Sequence, residues 1–122
     1  MSRARGAALR RSAAPLALMA LIFYLSAQSD PGPDVAPIVR MLGHAGEFGL
    51  LTLLWGWALR PALGRRDAAL AAAAISFVYA IGDEYHQTHV PGREGDPVDV
   101  AIDTVGIAVG YALLRLRRGA FA

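Results

Sequence analysis

Charged residues divide this chain into four long apolar stretches. Ser12 to Ser29 is an 18-residue run with no formal charge, and Met41 to Leu59 is 19 residues with only Glu47. Ala68 to Gly82 is 15 residues with none, and Val98 to Leu114 is 17 with Asp99 and Asp103. About 20 mostly apolar residues suffice for a helix to cross a bilayer. The stretches therefore predict an all-α, polytopic membrane protein with four transmembrane helices in a compact bundle. The spans are expected at about 13–29, 41–59, 67–86 and 97–115, in one domain over residues 1–122. Charged residues make up 18% of the chain and hydrophobic ones 55%, whereas an ordinary soluble domain carries about 25% charged residues. That excludes a disordered polyelectrolyte or a nucleic-acid-binding arm. With no cysteine, disulfides, thiolate metal sites and a cysteine nucleophile are excluded as well.

The third run is informative because it is short. Fifteen residues at about 1.5 Å each cover roughly 22 Å, less than the hydrocarbon core of about 30 Å. The helix must continue through Asp83, Glu84 and His86 to cross, and the fourth span crosses only with Asp99 and Asp103 inside it. Arginine placement predicts the orientation. Arg3, Arg5, Arg10 and Arg11 precede the first span, Arg60, Arg65 and Arg66 join the second to the third, and Arg115, Arg117 and Arg118 follow the fourth. Only Arg40 and Arg93 lie on the other side, so both termini are expected in the cytoplasm and the loops at 28–40 and 85–97 outside. Two other readings of the same pattern are weaker. A cleaved signal peptide ending at Ala27 would place bulky Leu25 where a small residue is needed. A soluble helical bundle would need polar faces that the first and third runs lack. Trp55 and Trp57 read as interfacial anchors.

At about 100° per residue, the polar residues of each span fall on one face. Arg40, His44 and Glu47 share one stripe, Ser76, Tyr79, Asp83 and His86 a second, and Asp96, Asp99, Asp103, Gly106 and Gly110 a third. All three sit at the outward ends. Glu47 lies seven residues in from Arg40 and Asp103 five in from Val98, about 10 Å and 8 Å along their helices. An acid at mid-membrane costs about 2.5–3.5 kcal/mol on insertion scales, so these groups must face one another or water. The candidate set is His44, Glu47, Asp83, Glu84, His86, Gln87, Arg93, Asp99 and Asp103, with Ser26, Ser29 and Arg40 nearby. Such groups mark a functional site by default; an arginine–acid network that merely holds the bundle together is the alternative. His44 and Glu47 can share a divalent metal with Asp99 and Asp103, although such a pair is more often simply hydrogen-bonded. Gly106 and Gly110 have the spacing that lets helices approach closely.

The order of these features resembles the VanZ-like membrane proteins. Ser26 and Ser29 end the first span before a proline-containing loop, and His44 and Glu47 open the second. Gly82-Asp83-Glu84-Tyr85-His86-Gln87, Pro91-Gly92-Arg93 and finally Asp99, Asp103 and Gly106 follow. The likeness runs from about Leu21 to Gly110. Its most specific part is the D-E-x-x-Q block followed by P-G-R and spaced aspartates. A lysine commonly precedes the second-span histidine in this family; here the nearest base is Arg40, one turn earlier, so no catalytic lysine is implied. His89-Val90 stands where an aromatic residue commonly precedes P-G-R. The resemblance implies a bacterial envelope protein, with founding relatives linked to teicoplanin-type glycopeptide resistance and no settled biochemical activity.

The sequence thus points to an inner-membrane protein with an outward-facing acidic pocket that binds or modifies a polar envelope molecule, a lipid headgroup or a cell-wall intermediate. Glu47 and Asp103 are the expected general base or metal ligands, His44 the proton shuttle, and Asp83 the fourth catalytic candidate. Arg93 and Arg40 are expected to hold an anionic group such as phosphate, with Glu84, Gln87, Asp99, Ser26 and Ser29 lining the substrate. The expected partner is a membrane lipid or lipid-linked envelope molecule, and not a nucleic acid; self-association into a homo-oligomer is left open, as is the choice between catalysis and a non-catalytic scaffold or shielding role.

Overall fold

The computed structural model describes residues 2–29 and 36–116, which form helices and no strand. Asp30 to Val35, in the loop expected to face outward, together with Arg117 and Arg118 of the orientation argument, lie outside the described residues. The helices are α1 (Arg3–Arg11), α2 (Ala13–Ser26), α3 (Pro37–Leu63), α4 (Arg65–Gln87) and α5 (Pro97–Leu116).

Helix α1 runs into α2 through Ser12, whose φ and ψ of −62° and −18° remain helical. The interruption has a local cause: Pro15 has no N–H to give the carbonyl of Arg11 four residues back. Arg3–Ser26, Arg65–Gln87 and Pro97–Leu116 are each long and apolar enough to cross a membrane. The 27-residue α3 is not among these three. It carries His44, Glu47 and several glycines, and it packs against all four other helices. Its inward face carries His44 and Glu47, while Ile38, Val39, Met41, Leu42 and Leu50 on α3 remain exposed. On the other helices the outer faces are apolar too, with Leu16, Leu21, Phe23, Phe77, Val78, Val105 and Val109 all exposed. A surface of that kind is suited to hydrocarbon and is a liability in water.

Gly64 is the single residue between α3 and α4, at φ 82° and ψ 165°, a region open to glycine and strained for other residues. It reverses the chain so that α4 lies against α3. Along α4 the residues at three- and four-residue spacing, Ala69, Ala72, Ser76, Ala80, Asp83 and Gln87, are buried. Small side chains therefore set the α3–α4 contact, and the same stripe ends in two polar groups. The α3–α5 contact is closer still. A Cβ on Gly106 would run into the backbone of Ala45, and one on Gly110 would stand 2.8 Å from the Gly49 carbonyl oxygen. The spacing of Gly106 and Gly110 thus serves the close approach expected of it.

The core comprises Ile22, Phe48, Leu51, Trp55, Ala58, Ala69, Ala72, Ala80, Ile107 and Leu114. Trp55 differs from the sequence expectation: it is 8% exposed, turned into the bundle rather than outward as an interfacial anchor. Trp57 is half-buried, with the Arg11 guanidinium 4.8 Å from its ring centroid. Arg11 has a second task. Pro61, inside α3, cannot donate to the Trp57 carbonyl, and Arg11 Nη1 donates to that oxygen at 3.0 Å instead. One side chain thus ties the first helix to the proline-weakened end of the central one.

Candidate functional site

Four polar side chains at one end of the bundle are buried: Ser26 (4% exposed), Asp83 (8%), Gln87 (5%) and Asp103 (2%). A carboxylate out of water must be hydrogen-bonded or paired, and each of these two aspartates has a distinct arrangement. Ser26, at the last turn of α2, donates its hydroxyl to Asp83 Oδ1 on α4. Gln87, one turn beyond Asp83, reaches Asp83 Oδ2 and Ser26 Oγ with Nε2, each at 3.4 Å. Across the bundle, His44 Nδ1 on α3 lies 3.3 Å from Asp103 Oδ1 on α5, the one basic–acidic side-chain contact at ion-pair distance among the described residues.

The two arrangements share one electrostatic space. Charges on His44, Glu47, Asp83 and Asp103 all lie within reach of one another. The four expected catalytic residues are therefore brought together from three helices, with Ser26 and Gln87 beside Asp83. Helix geometry explains how: His44 and Glu47 are one turn apart on α3, Asp83 ends the buried stripe of α4, and Asp103 lies one turn from Gly106, where α5 comes closest to α3.

Of the seven expected substrate-binding residues, Ser26 and Gln87 hydrogen-bond with Asp83 and the other five make different contacts. Arg40 and Asp99 lie near the N-terminal ends of α3 and α5, where with His44, Asp96 and four apolar neighbours they line a depression of about 350 Å³. Arg93 has charge within reach of Asp83, but its Nη1 donates to the carbonyls of Leu25 (3.2 Å) and Gln28 (3.1 Å). It thereby closes the end of α2, where carbonyls lack intrahelical partners. Glu84 is half-buried and turns to the loop before α5, with Oε1 3.0 Å from where a Cβ on Gly95 would stand. Ser29 is exposed; what its position adds is a backbone approach to Gly92, which sits at φ 81° with space for no Cβ beside the Ser29 carbonyl. Neither Arg40 nor Arg93 forms an ion pair with a carboxylate among the described residues.

Several contacts had no sequence signal. His86 stacks flat on Phe23, with ring centroids 4.5 Å apart and planes 2° from parallel. Tyr79 donates its hydroxyl to the Met19 carbonyl at 2.6 Å, latching α4 to α2. Phe23 reads in the sequence as one more apolar residue of a span; only its position one turn before Ser26 hints that it shares Ser26's face.

Chemically, the cluster is rich in acceptors. Three carboxylates face one imidazole, an arrangement that can move a proton or receive hydroxyl, amide or ammonium donors. Among the described residues no group of three or more His, Asp and Glu has metal-holding geometry; His44 and Asp103 bring two donors together.

Comparison with known proteins agrees with this architecture. A family model described as VanZ/LLP1 matches residues 12–118. No curated protein and no solved structure matches the chain. The match takes in all of α2 to α5 and every residue of the polar cluster, and the chain belongs to the VanZ/LLP1 family.

Proposed function

We propose that this protein crosses the bacterial cytoplasmic membrane four times, with both termini in the cytoplasm. Its acidic cluster opens to the outer side, where it binds or modifies a polar envelope molecule, a lipid headgroup or a cell-wall intermediate. One observation carries the reading: Asp83 and Asp103, nearly enclosed on different helices, converge with His44 and Glu47 at a single end of the bundle. Burying acids costs stability, and a fold that gathers them gains a reactive, water-poor site in return. His44 and Asp103 form the proton-transfer pair, Glu47 and Asp83 supply the remaining carboxylates, and Arg40 with Asp99 marks the outer rim. Arg93 holds the α2 end in place and has other guanidinium nitrogens to offer an anionic group. A divalent cation shared by His44 and Asp103 with the ligand is a further role for the same pair.

A specific observation favours a second reading, a non-catalytic scaffold or shielding module. Ser26 and Gln87 already supply donors to Asp83, and Arg93 is engaged with backbone carbonyls. Asp103→Asn and Glu47→Gln separate the two readings. Both variants keep side-chain shape, and they are to be followed for membrane abundance and for teicoplanin susceptibility of an expressing bacterial host. Normal abundance with a lost phenotype supports the site. Loss of abundance supports the structural cluster, and retention of both abundance and phenotype refutes a functional role for these carboxylates.

A further inference from the structure

Beside the acidic cluster, α2 and α4 enclose an apolar groove of about 680 Å³. Met19 and Phe23 form one wall, and Ile75, Val78 and Tyr79 belong to the other. Asp83 and His86 stand at its outward end. Both flanking helices belong to the segments long and apolar enough to cross a membrane, so the groove opens sideways to hydrocarbon.

Its length selects an occupant. From Ala74 to His86 the lining runs twelve residues along α4, about 18 Å at 1.5 Å per residue. Half of a hydrocarbon core of about 30 Å is about 15 Å. The groove is thus as deep as one leaflet, apolar along its length and polar at the end where a headgroup lies. The Tyr79 hydroxyl is turned away to the Met19 carbonyl, which removes a polar group from the wall. The His86 ring is held flat against Phe23 at the polar end. Gly82 lies in the lining one residue before Asp83, and a Cβ there would meet nothing within 4 Å. The absence of a side chain at that position keeps the groove open next to the acid.

We propose that the α2–α4 groove holds one hydrocarbon chain of an outer-leaflet lipid and presents its headgroup to Asp83 and the adjoining cluster. The proposal rests on the outward orientation given above and narrows the ligand of that site to an amphiphile. Chain and head are recognised by different walls of one continuous surface: dispersion and exclusion from bulk lipid along α2 and α4, hydrogen bonding at Asp83 and His86.

The test uses the full-length protein in phosphatidylglycerol vesicles carrying a trace of phosphatidylglycerol with a photoactivatable diazirine at mid-chain. After illumination, labelled peptides are mapped by mass spectrometry. Labelling of Met19, Phe23, Ile75 and Val78 is expected to exceed that of Leu21 and Ile81, exposed on the same two helices outside the groove, by at least about fivefold. Gly82→Trp fills the groove and is expected to abolish the excess, whereas Val105→Trp is expected to leave it intact. Asp103→Asn, which disables the proposed chemistry and not the groove, is expected to keep the labelling, so failure of the groove and failure of the acidic site are told apart. Even labelling over all lipid-facing helices overturns the proposal. So does an excess that survives Gly82→Trp, or a groove filled by a second copy, seen as chain-to-chain cross-links at these positions.

Discussion

Removing Arg11 is expected to cost the fold more than a surface arginine would, and the excess is expected to depend on Pro61. The Arg11 guanidinium donates to the Trp57 carbonyl at 3.0 Å and lies 4.8 Å from the centre of the Trp57 ring. A hydrogen bond from a charged donor contributes about 1.5–3 kcal/mol, and a partly exposed cation–π contact about 0.5–1 kcal/mol. Arg11→Ala should therefore destabilise the protein by roughly 2–4 kcal/mol. Pro61→Ala gives residue 61 an N–H that can serve the same carbonyl within the helix. In that background the hydrogen-bond share of the Arg11→Ala loss should vanish and the cation–π share should remain. The coupling between the two substitutions is thus expected at about 1.5–3 kcal/mol, a factor of roughly 10 to 100 in the folding equilibrium. The four proteins of the cycle can be compared by unfolding in detergent, followed by tryptophan fluorescence. Costs that add to within about 0.5 kcal/mol would refute the claim that Arg11 replaces a donor that proline withholds.

Gly106→Ala should be among the most disruptive single-methyl changes in the chain, because the added Cβ meets the Ala45 backbone. A loss of about 1–3 kcal/mol is expected in the same unfolding assay, whereas Gly82→Ala, with open space around its Cβ, should stabilise α4 slightly. Arg93→Ala leaves the Leu25 and Gln28 carbonyls without its Nη1 and should speed amide hydrogen exchange over the last turn of α2. An unchanged exchange rate there would contradict a positioning role for Arg93. The chain has no cysteine, so single cysteines at the exposed Glu94 and Ala62 report orientation directly. A membrane-impermeant thiol reagent added to intact cells should label Glu94→Cys and spare Ala62→Cys, and the reverse pattern would invert the proposed topology.

The helices were largely legible because the bilayer imposes a coarse rule: long uncharged runs must become helices, since lipid offers no partner to a bare backbone. The expected third and fourth spans, about 67–86 and 97–115, correspond closely to α4 and α5. The first helical segment begins earlier than expected, at Arg3, because Pro15 falls in the first turn of α2 and only interrupts the ladder. Trp55 was misread for a related reason. A tryptophan near a span end is usually an anchor, but which side of α3 faces the bundle depends on where α4 and α5 pack. Glu47, Asp83 and Asp103 were legible as out-of-place acids because each is expensive within a span. Their partners were not, since serine, glutamine and phenylalanine cost little anywhere in a span.

Charge spacing along the chain determined that this protein is helical, apolar on its outside and polar at one end, because hydropathy and the cost of buried charge act residue by residue. Only packing decided that His44 meets Asp103, that Ser26 and Gln87 meet Asp83, and that Arg93 turns to the end of α2. Each of those contacts joins segments far apart in the chain or fixes a rotamer within one helix, and glycine approaches such as Gly106 on Ala45 set the distances at which they can form. Periodicity names the face of each helix; the angle and depth at which two faces meet are properties of the pair.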